Sequence, residues 1–191
     1  MVVRNCIIVI ALTLLYSILR YNVFGNVPPS DIPTLIINKS ISFSLIVFLL
    51  LACISRINNK VAEHKKYMQF TKIFIIIHVL LSFAILSEKY YPKLFENTKL
   101  TITGGASILF GVLALMSYLF KRNRKSILVF YLFIIFHLLF IGYKGWFEIR
   151  KWNGMMPPIT LICTLLLIVT MILVIYSNRK KNIAIAKDNT L

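Results

Sequence analysis

Two histidines lie inside long apolar stretches of this chain, where an ionisable side chain is costly. His78 stands in IFIIIHVLLSF (73–83), and His137 stands in VFYLFIIFHLLFIGY (129–143). An imidazole in such a stretch can ligate a metal, transfer a proton or hydrogen-bond a neighbouring helix. Neither stretch carries a carboxylate, so the chemistry to consider is that of two neutral imidazoles.

The spacing places the two imidazoles at the same expected depth in a bilayer. Lys66 is the last cation of its loop and precedes His78 by twelve residues, as Lys125 precedes His137. At about 1.5 Å per helical residue, each imidazole lies ~18 Å from its cation, near the middle of the hydrocarbon. Two such nitrogen donors on different helices match the axial ligands of a haem iron.

Other residues in these segments suit a haem as well. Two cations, Arg20 and Lys39, lie near the outer ends of the first and second apolar segments and could meet the haem propionates. Snorkelling to the interface explains either cation equally well. The apolar surroundings that we expect for the disc are Phe74, Phe83, Phe130, Phe133, Phe136 and Phe140.

The positions of these residues depend on membrane-spanning helices, which the composition predicts. Of the 191 residues, 59% are hydrophobic, a share typical of an integral membrane protein. We predict an all-α bundle of six transmembrane helices in a single domain, and we expect the first to be retained, not cleaved as a signal peptide. The helices are expected at about 6–24, 32–54, 68–86, 100–120, 126–143 and 155–176.

The loop charges predict the orientation of the bundle. Cations cluster at 56–66, at 121–125 and at 178–187, which lie on one side of a six-helix chain. The loops on the other side carry a more balanced charge. The positive-inside rule therefore places both termini in the cytoplasm.

The same features exclude several classes of protein. The formal charge of +16 comes from clusters between apolar runs, which indicates topology and not nucleic-acid binding. The three cysteines form no CxxC pair, which disfavours a thiol oxidoreductase. All six acidic residues lie outside the apolar segments, which disfavours a proton-driven transporter, and three ligands for a hydrolytic zinc are not visible.

Taken together, the chain resembles the ferric reductase-like transmembrane domain superfamily. The resemblance is carried by the six-helix plan, by His78 and His137 on the third and fifth helices, by NKSISFSLIVFLLLA (38–52) and by the small-residue helix GGASILFGVLALMSYLF (104–120). It implies haem b, electron transfer and the two histidines as iron ligands. The larger members carry two histidines on each of these helices and a flavin domain, neither of which is present here.

The sequence therefore predicts a cytochrome b-type subunit in a bacterial inner membrane. It would hold one bis-histidine haem and take electrons from a separate cytoplasmic flavin reductase or from a quinol. The alternative is a six-helix membrane protein without a cofactor, such as an assembly factor, a permease-like protein or a scaffold. In that protein His78 and His137 would hydrogen-bond between helices.

Overall fold

The computed structural model describes residues 1–120 and 124–188, with side chains at 1–120 and 126–178. Within these residues six helices are long and apolar enough to cross a membrane, which confirms the predicted all-α, six-helix membrane fold. The predicted cation cluster at 121–125 lies outside the described side chains, and so does the cluster at 178–187 except for Asn178. The helices are α1 Val2–Ile18, α2 Ile37–Ile57, α3 Val61–Ala84, α4 Ile102–Leu119, α5 Arg124–Trp146 and α6 Ile159–Asp188.

Two helices continue beyond their apolar segments. The helix α3 begins at Val61, although the sequence predicted its span from 68, and α6 runs to Asp188 instead of ending near 176. Both extensions are rich in Lys, Ala, Glu and Asn, most of which are tolerated or favoured in a helix. Hydropathy detects only the part of a helix that lies in lipid, so it does not indicate these polar turns.

Irregular helical turns flank the first two helices on the side where α1 ends and α2 begins. A π-helical turn, Leu19–Val23, follows α1, while a 3-10 turn, Pro29–Asp31, and a second π-helical turn, Ile32–Ile36, precede α2. The prolines occupy first-turn positions, where the missing N–H leaves no bond unmade. These turns bring Asn38 and Lys39 into the bundle at the start of α2.

A short hairpin connects α3 to α4. Its strands are β1 Phe95–Glu96 and β2 Lys99–Leu100, paired antiparallel. The two turn residues, Asn97 and Thr98, both have positive φ (50° and 63°), as a type I′ turn requires. The hairpin leads directly into Thr101, whose hydroxyl accepts the Gly104 N–H at 3.0 Å and caps α4.

The helix α2 forms the centre of the bundle. It is the most buried of the six spans and packs against α1, α3 and α6, while α5 packs against α4 and α6. The helices α3 and α4 make few contacts with each other. The structure is therefore closed around α2 and α6 but open between α3 and α4.

Hydroxyl groups join α1 to α2. Thr13 Oγ1 lies 2.6 Å from Ser44 Oγ and 3.2 Å from Ser40 Oγ, and all three residues are buried. Lipid gives apolar helix faces no hydrophobic reason to associate, so small residues and interhelical hydrogen bonds of this kind hold membrane helices together. This contact fixes α2, which carries five residues of the cavity described below, including Asn38 and Lys39.

Candidate active site: a polar cavity between five helices

A cavity of about 200 Å³ lies between α2, α3, α4, α5 and α6. It brings together His78 of α3, His137 of α5 and Lys39 of α2, which the sequence analysis had selected. Its wall is otherwise mostly apolar. Its other polar lining residues are Tyr21, Asn38, Ser42, Ser82, Tyr91, Ser107, Thr160 and Cys163.

The ring of His78 is fixed by Asn38. The His78 Nδ1 atom lies 2.7 Å from Asn38 Oδ1. An amide oxygen only accepts hydrogen bonds, so His78 must carry its proton on Nδ1 and donate it. This leaves Nε2 of His78 as an unprotonated, basic nitrogen.

Asn38 is the centre of a larger hydrogen-bond network. Its side chain is only 1% exposed, and its Nδ2 donates to Ser82 Oγ and to Tyr91 Oη, both at 3.0 Å. Burial raises the pKa of Tyr91, which keeps its phenol protonated at neutral pH. The network connects α2, α3 and the segment after α3, and it holds the His78 ring in place.

The ring of His137 is fixed by the backbone of α4. Its Nδ1 lies 2.8 Å from the Ser107 carbonyl oxygen and 3.3 Å from Ser107 Oγ. A carbonyl oxygen only accepts, so Nδ1 must again carry the proton and donate it to the closer of the two oxygens. As with His78, the nitrogen left unprotonated is Nε2.

Both Nε2 atoms are available for a ligand. Among the described residues, none donates a hydrogen bond to Nε2 of His78 or of His137, and both side chains line the cavity. The site therefore presents two hydrogen-bond acceptors on facing helices. Its chemistry is that of two neutral imidazoles that accept protons or hydrogen bonds from something within the cavity.

The two predicted cations separate in the structure. Lys39 lines the cavity, with its Nζ 5.1 Å from the centre of the Tyr91 ring. Arg20 is buried elsewhere, where its guanidinium donates to the Met156 carbonyl and contacts the Tyr21 ring at 5.7 Å. Arg20 thus fastens the end of α1 to the segment before α6, and it does not line the cavity.

The six phenylalanines that we expected around the two histidines also do not all lie at the cavity. Of the six, Phe83 and Phe130 line the cavity. Phe133, Phe136 and Phe140 instead pack around Phe110, with the Phe110 and Phe140 rings stacked at 5.5 Å. Their aromatic character serves packing between α4 and α5.

Asn38 and Ser107 decide which nitrogen of each histidine is basic, but neither was predicted as a site residue. Both lie inside segments, 38–52 and 104–120, that were used only for a family resemblance. The usable signal was polarity: an amide or hydroxyl in an apolar segment needs a hydrogen-bond partner within the protein, and histidine can be that partner.

The described residues contain no group of three or more His, Cys, Asp or Glu side chains that could hold a metal ion. The volume of the cavity also speaks against a haem. Sites for drug-sized ligands usually span about 300–1,000 Å³. A cavity of about 200 Å³ is smaller than that range, and a porphyrin is larger than such ligands.

Replacing Gly111 with Ala tests how tightly His137 is held. A Cβ at Gly111 would lie 3.0 Å from His137 Nδ1, so the ring must move and its bond to the Ser107 carbonyl must weaken. We expect G111A to destabilise the protein by about 1–3 kcal/mol, as overpacking does, in an equilibrium unfolding titration in detergent.

The matched control is G105A on the same helix. A Cβ there would meet only Leu100 Cδ2, at an ordinary 3.8 Å. We expect G105A to be neutral or slightly stabilising, because alanine favours a helix over glycine by up to about 1 kcal/mol. Equal losses in G111A and G105A would contradict the tight fit that we describe at His137.

Comparison with known proteins identifies the family. The family model described as the Rhomboid domain matches residues 40–156, which is more than half of the chain. The match runs from α2 to the segment before α6 and includes both cavity histidines. No curated protein matches the chain.

This match corrects the hypothesis drawn from the sequence. The resemblance to ferric reductase-like domains is wrong, and so are haem b and a role in electron transport. The roles predicted for His78, His137, Arg20 and Lys39 as ligands of the iron and of the propionates depended on that haem. Two neutral imidazoles at equal depth are compatible with haem but are not specific to it. The chain belongs to the rhomboid family, a family of intramembrane proteases.

Proposed function

We propose that this protein is a rhomboid-family pseudoprotease, which binds a membrane-embedded polypeptide segment without cleaving it. The observation that carries the proposal is the orientation of the two imidazoles. Each turns its proton-bearing nitrogen towards the nearby serine and keeps its basic nitrogen for the cavity.

A serine protease needs a base that takes the proton from its nucleophile. The nucleophile and a basic nitrogen must lie within hydrogen-bond reach, at about 2.6–3.2 Å. The two serine–histidine approaches among the described residues are 3.3 Å for Ser107 Oγ to His137 Nδ1 and 3.5 Å for Ser82 Oγ to His78 Nδ1. In both, the nitrogen concerned already donates its proton to a closer oxygen, so it cannot accept another.

The exposure of Ser107 supports the same interpretation. Its side chain is 0% exposed, and its hydroxyl can donate to the His137 carbonyl of α5 at 3.5 Å. A nucleophile must approach the carbonyl carbon of its substrate to about 3–3.5 Å. Ser107 belongs to the lining of the central cavity, but a side chain with no exposed surface offers no such approach in this conformation.

The opening between α3 and α4 supports binding of a segment from within the membrane. The two helices make few contacts, and residues of both line the cavity. Phe83 of α3 lines the cavity and is 58% exposed, so the opening faces the lipid. A membrane segment could therefore enter sideways and place one polar side chain against the two Nε2 atoms.

A peptidase is the second candidate, and the approach of Ser107 to His137 favours it. The Oγ–Nδ1 distance of 3.3 Å is only slightly too long, and catalytic contacts in unliganded proteins often tighten when the substrate binds. In that case Ser107 would be the nucleophile and His137 the base, after the ring had released the Ser107 carbonyl.

Labelling with a fluorophosphonate distinguishes the two candidates. Because no described serine faces a basic nitrogen, we expect no more labelling of the wild-type protein than of S107A in detergent or in nanodiscs. The measurement is in-gel fluorescence, with an active serine hydrolase in the same lane as a control of the reagent. Labelling that depends on Ser107 would establish the peptidase and overturn the pseudoprotease.

Binding is tested with two synthetic transmembrane peptides, one of polyleucine and one with a single central Asn. A photocrosslinking amino acid replaces Phe83 at the opening or, as a control, Leu12 of α1, which is 59% exposed. We expect the Asn peptide to crosslink several-fold more than polyleucine from position 83, because its amide donates to the imidazole Nε2 atoms, and equally from position 12.

The variant H78F shows whether the imidazole causes this preference. We expect H78F to lose the preference for the Asn peptide while its crosslinking to polyleucine stays unchanged. The readout is the ratio of crosslinking between the two peptides. A general loss of folded protein would lower both and would therefore not imitate a loss of preference. Equal crosslinking of both peptides by the wild-type protein contradicts binding through the histidines.

We propose further that the protein lies in a bacterial cell membrane with the loop between α2 and α3 in the cytoplasm. The support is the cation cluster at 56–66 together with the positive-inside rule. A pseudoprotease needs no electron donor, so the flavin reductase or quinol predicted from the sequence has no role in this proposal.

Single cysteines test this orientation in cells. The three native cysteines are buried, so a cysteine introduced at Asn58 or at Asn97 is the one that a reagent reaches. We expect a membrane-impermeant maleimide to label N97C in intact cells and to label N58C only after lysis. The reverse pattern would invert the proposed topology.

A further inference from the structure

A second pocket, of about 420 Å³, lies at the end of the bundle where α2 ends and α3 begins. Among the residues that the structure describes, three cations line it: Arg56 from the last turn of α2, and Lys65 and Lys72 from α3. It is distinct from the central cavity, and Phe130 is the one described residue that lines both. We call it the basic pocket.

We propose that the basic pocket binds one anionic glycerophospholipid, with the phosphate on the three cations and an acyl chain along its apolar wall. This role is independent of the proposed function of the central cavity. It concerns the end of the bundle that the positive-inside rule places in the cytoplasm, where anionic lipids attract basic residues.

The charge of the pocket supports an anion. Among the described residues, no acidic side chain lines it. The nearest acidic residue in sequence, Glu63, lies outside the lining and pairs with Lys60 at 3.8 Å. Arg56 supplies a planar guanidinium, which can hold two phosphate oxygens at once, while the two lysines act as point charges.

The apolar part of the lining supports a lipid over a soluble phosphate. It includes Leu49, Met68, Ile127 and Val174, which belong to the membrane spans. The hydroxyls of Ser117 and Tyr131 lie in the same lining. A ligand that satisfies both parts has an anionic group at one end and a hydrocarbon chain at the other.

The positions of the three cations are more specific than the topology of the protein alone requires. Positive-inside residues need only reach the membrane surface, whereas these three line one volume between helices. His64 helps to shape that volume, because its ring lines the pocket and its Nδ1 lies 2.9 Å from the Ala52 carbonyl of α2. The contact fastens α3 to α2 beside the cations.

Native mass spectrometry of the full chain in detergent tests the proposal. The probes are phosphatidylglycerol, phosphatidylcholine with the same acyl chains, and glycerol 3-phosphate. We expect saturable binding of one phosphatidylglycerol, at least about tenfold tighter than binding of phosphatidylcholine, and no measurable binding of glycerol 3-phosphate at the same concentration. Equal affinity for the two lipids, or equal binding of glycerol 3-phosphate, overturns the proposal.

Two charge-matched variants localise the site. The first removes the pocket cations (R56Q, K65Q and K72Q), and the second removes three cations outside the lining (R4Q, K60Q and K66Q). We expect the first to bind phosphatidylglycerol at least about tenfold more weakly and the second to change its affinity less than threefold. Equal losses in both variants would mean a general attraction of lipid to net charge and would contradict a built site. If the first variant does not fold, the comparison of the three probes on the wild-type protein decides alone.

Discussion

Lipid offers no hydrogen bonds, so each polar group inside the spans must find its partner within the protein. The buried polar groups show how this constraint determines the structure. Asn38 meets the constraint most fully, because its amide oxygen accepts from His78 while its amide nitrogen donates to Ser82 and Tyr91. Thr13 and Ser44 meet it by bonding each other between α1 and α2. The same requirement determines which nitrogen of each imidazole carries the proton, and thereby what chemistry remains for the cavity.

The tautomers connect the packing of the bundle to its function. A carbonyl or amide oxygen held at 2.7–2.8 Å from Nδ1 keeps the proton there, so the basic lone pair belongs to Nε2. In a protease that lone pair has to face the nucleophile. Here the serines lie on the Nδ1 side of both rings, which separates base from nucleophile although the residue types of a serine–histidine pair are present. The proposal of a pseudoprotease rests on this geometry and not on a missing residue type.

The six helices and the meeting of His78, His137 and Lys39 could be predicted from the sequence. Span length, loop charge and depth in the membrane depend only on the position of residues along the chain. The sequence could not give the direction in which each side chain turns about its helix axis. For that reason two expectations failed. Arg20 was expected beside a ligand, but it donates to the carbonyl of Met156. Three phenylalanines that were expected around the histidines pack on Phe110 instead. The haem hypothesis failed for a different reason: equal depth fits a haem without being specific to it, and the match to the Rhomboid domain overturns it.

One aromatic side chain, Phe130, belongs to the lining of both pockets. It is 4% exposed and is held between Tyr118 and Tyr131, with ring centres 5.2 Å and 5.5 Å away. Aromatic groups packed at such distances restrict one another, so the ring of Phe130 is a fixed part of both walls. Because Phe130 lies on α5 two turns before His137, the same helix contributes a hydrogen-bond acceptor to the central cavity and a wall that this cavity shares with the basic pocket.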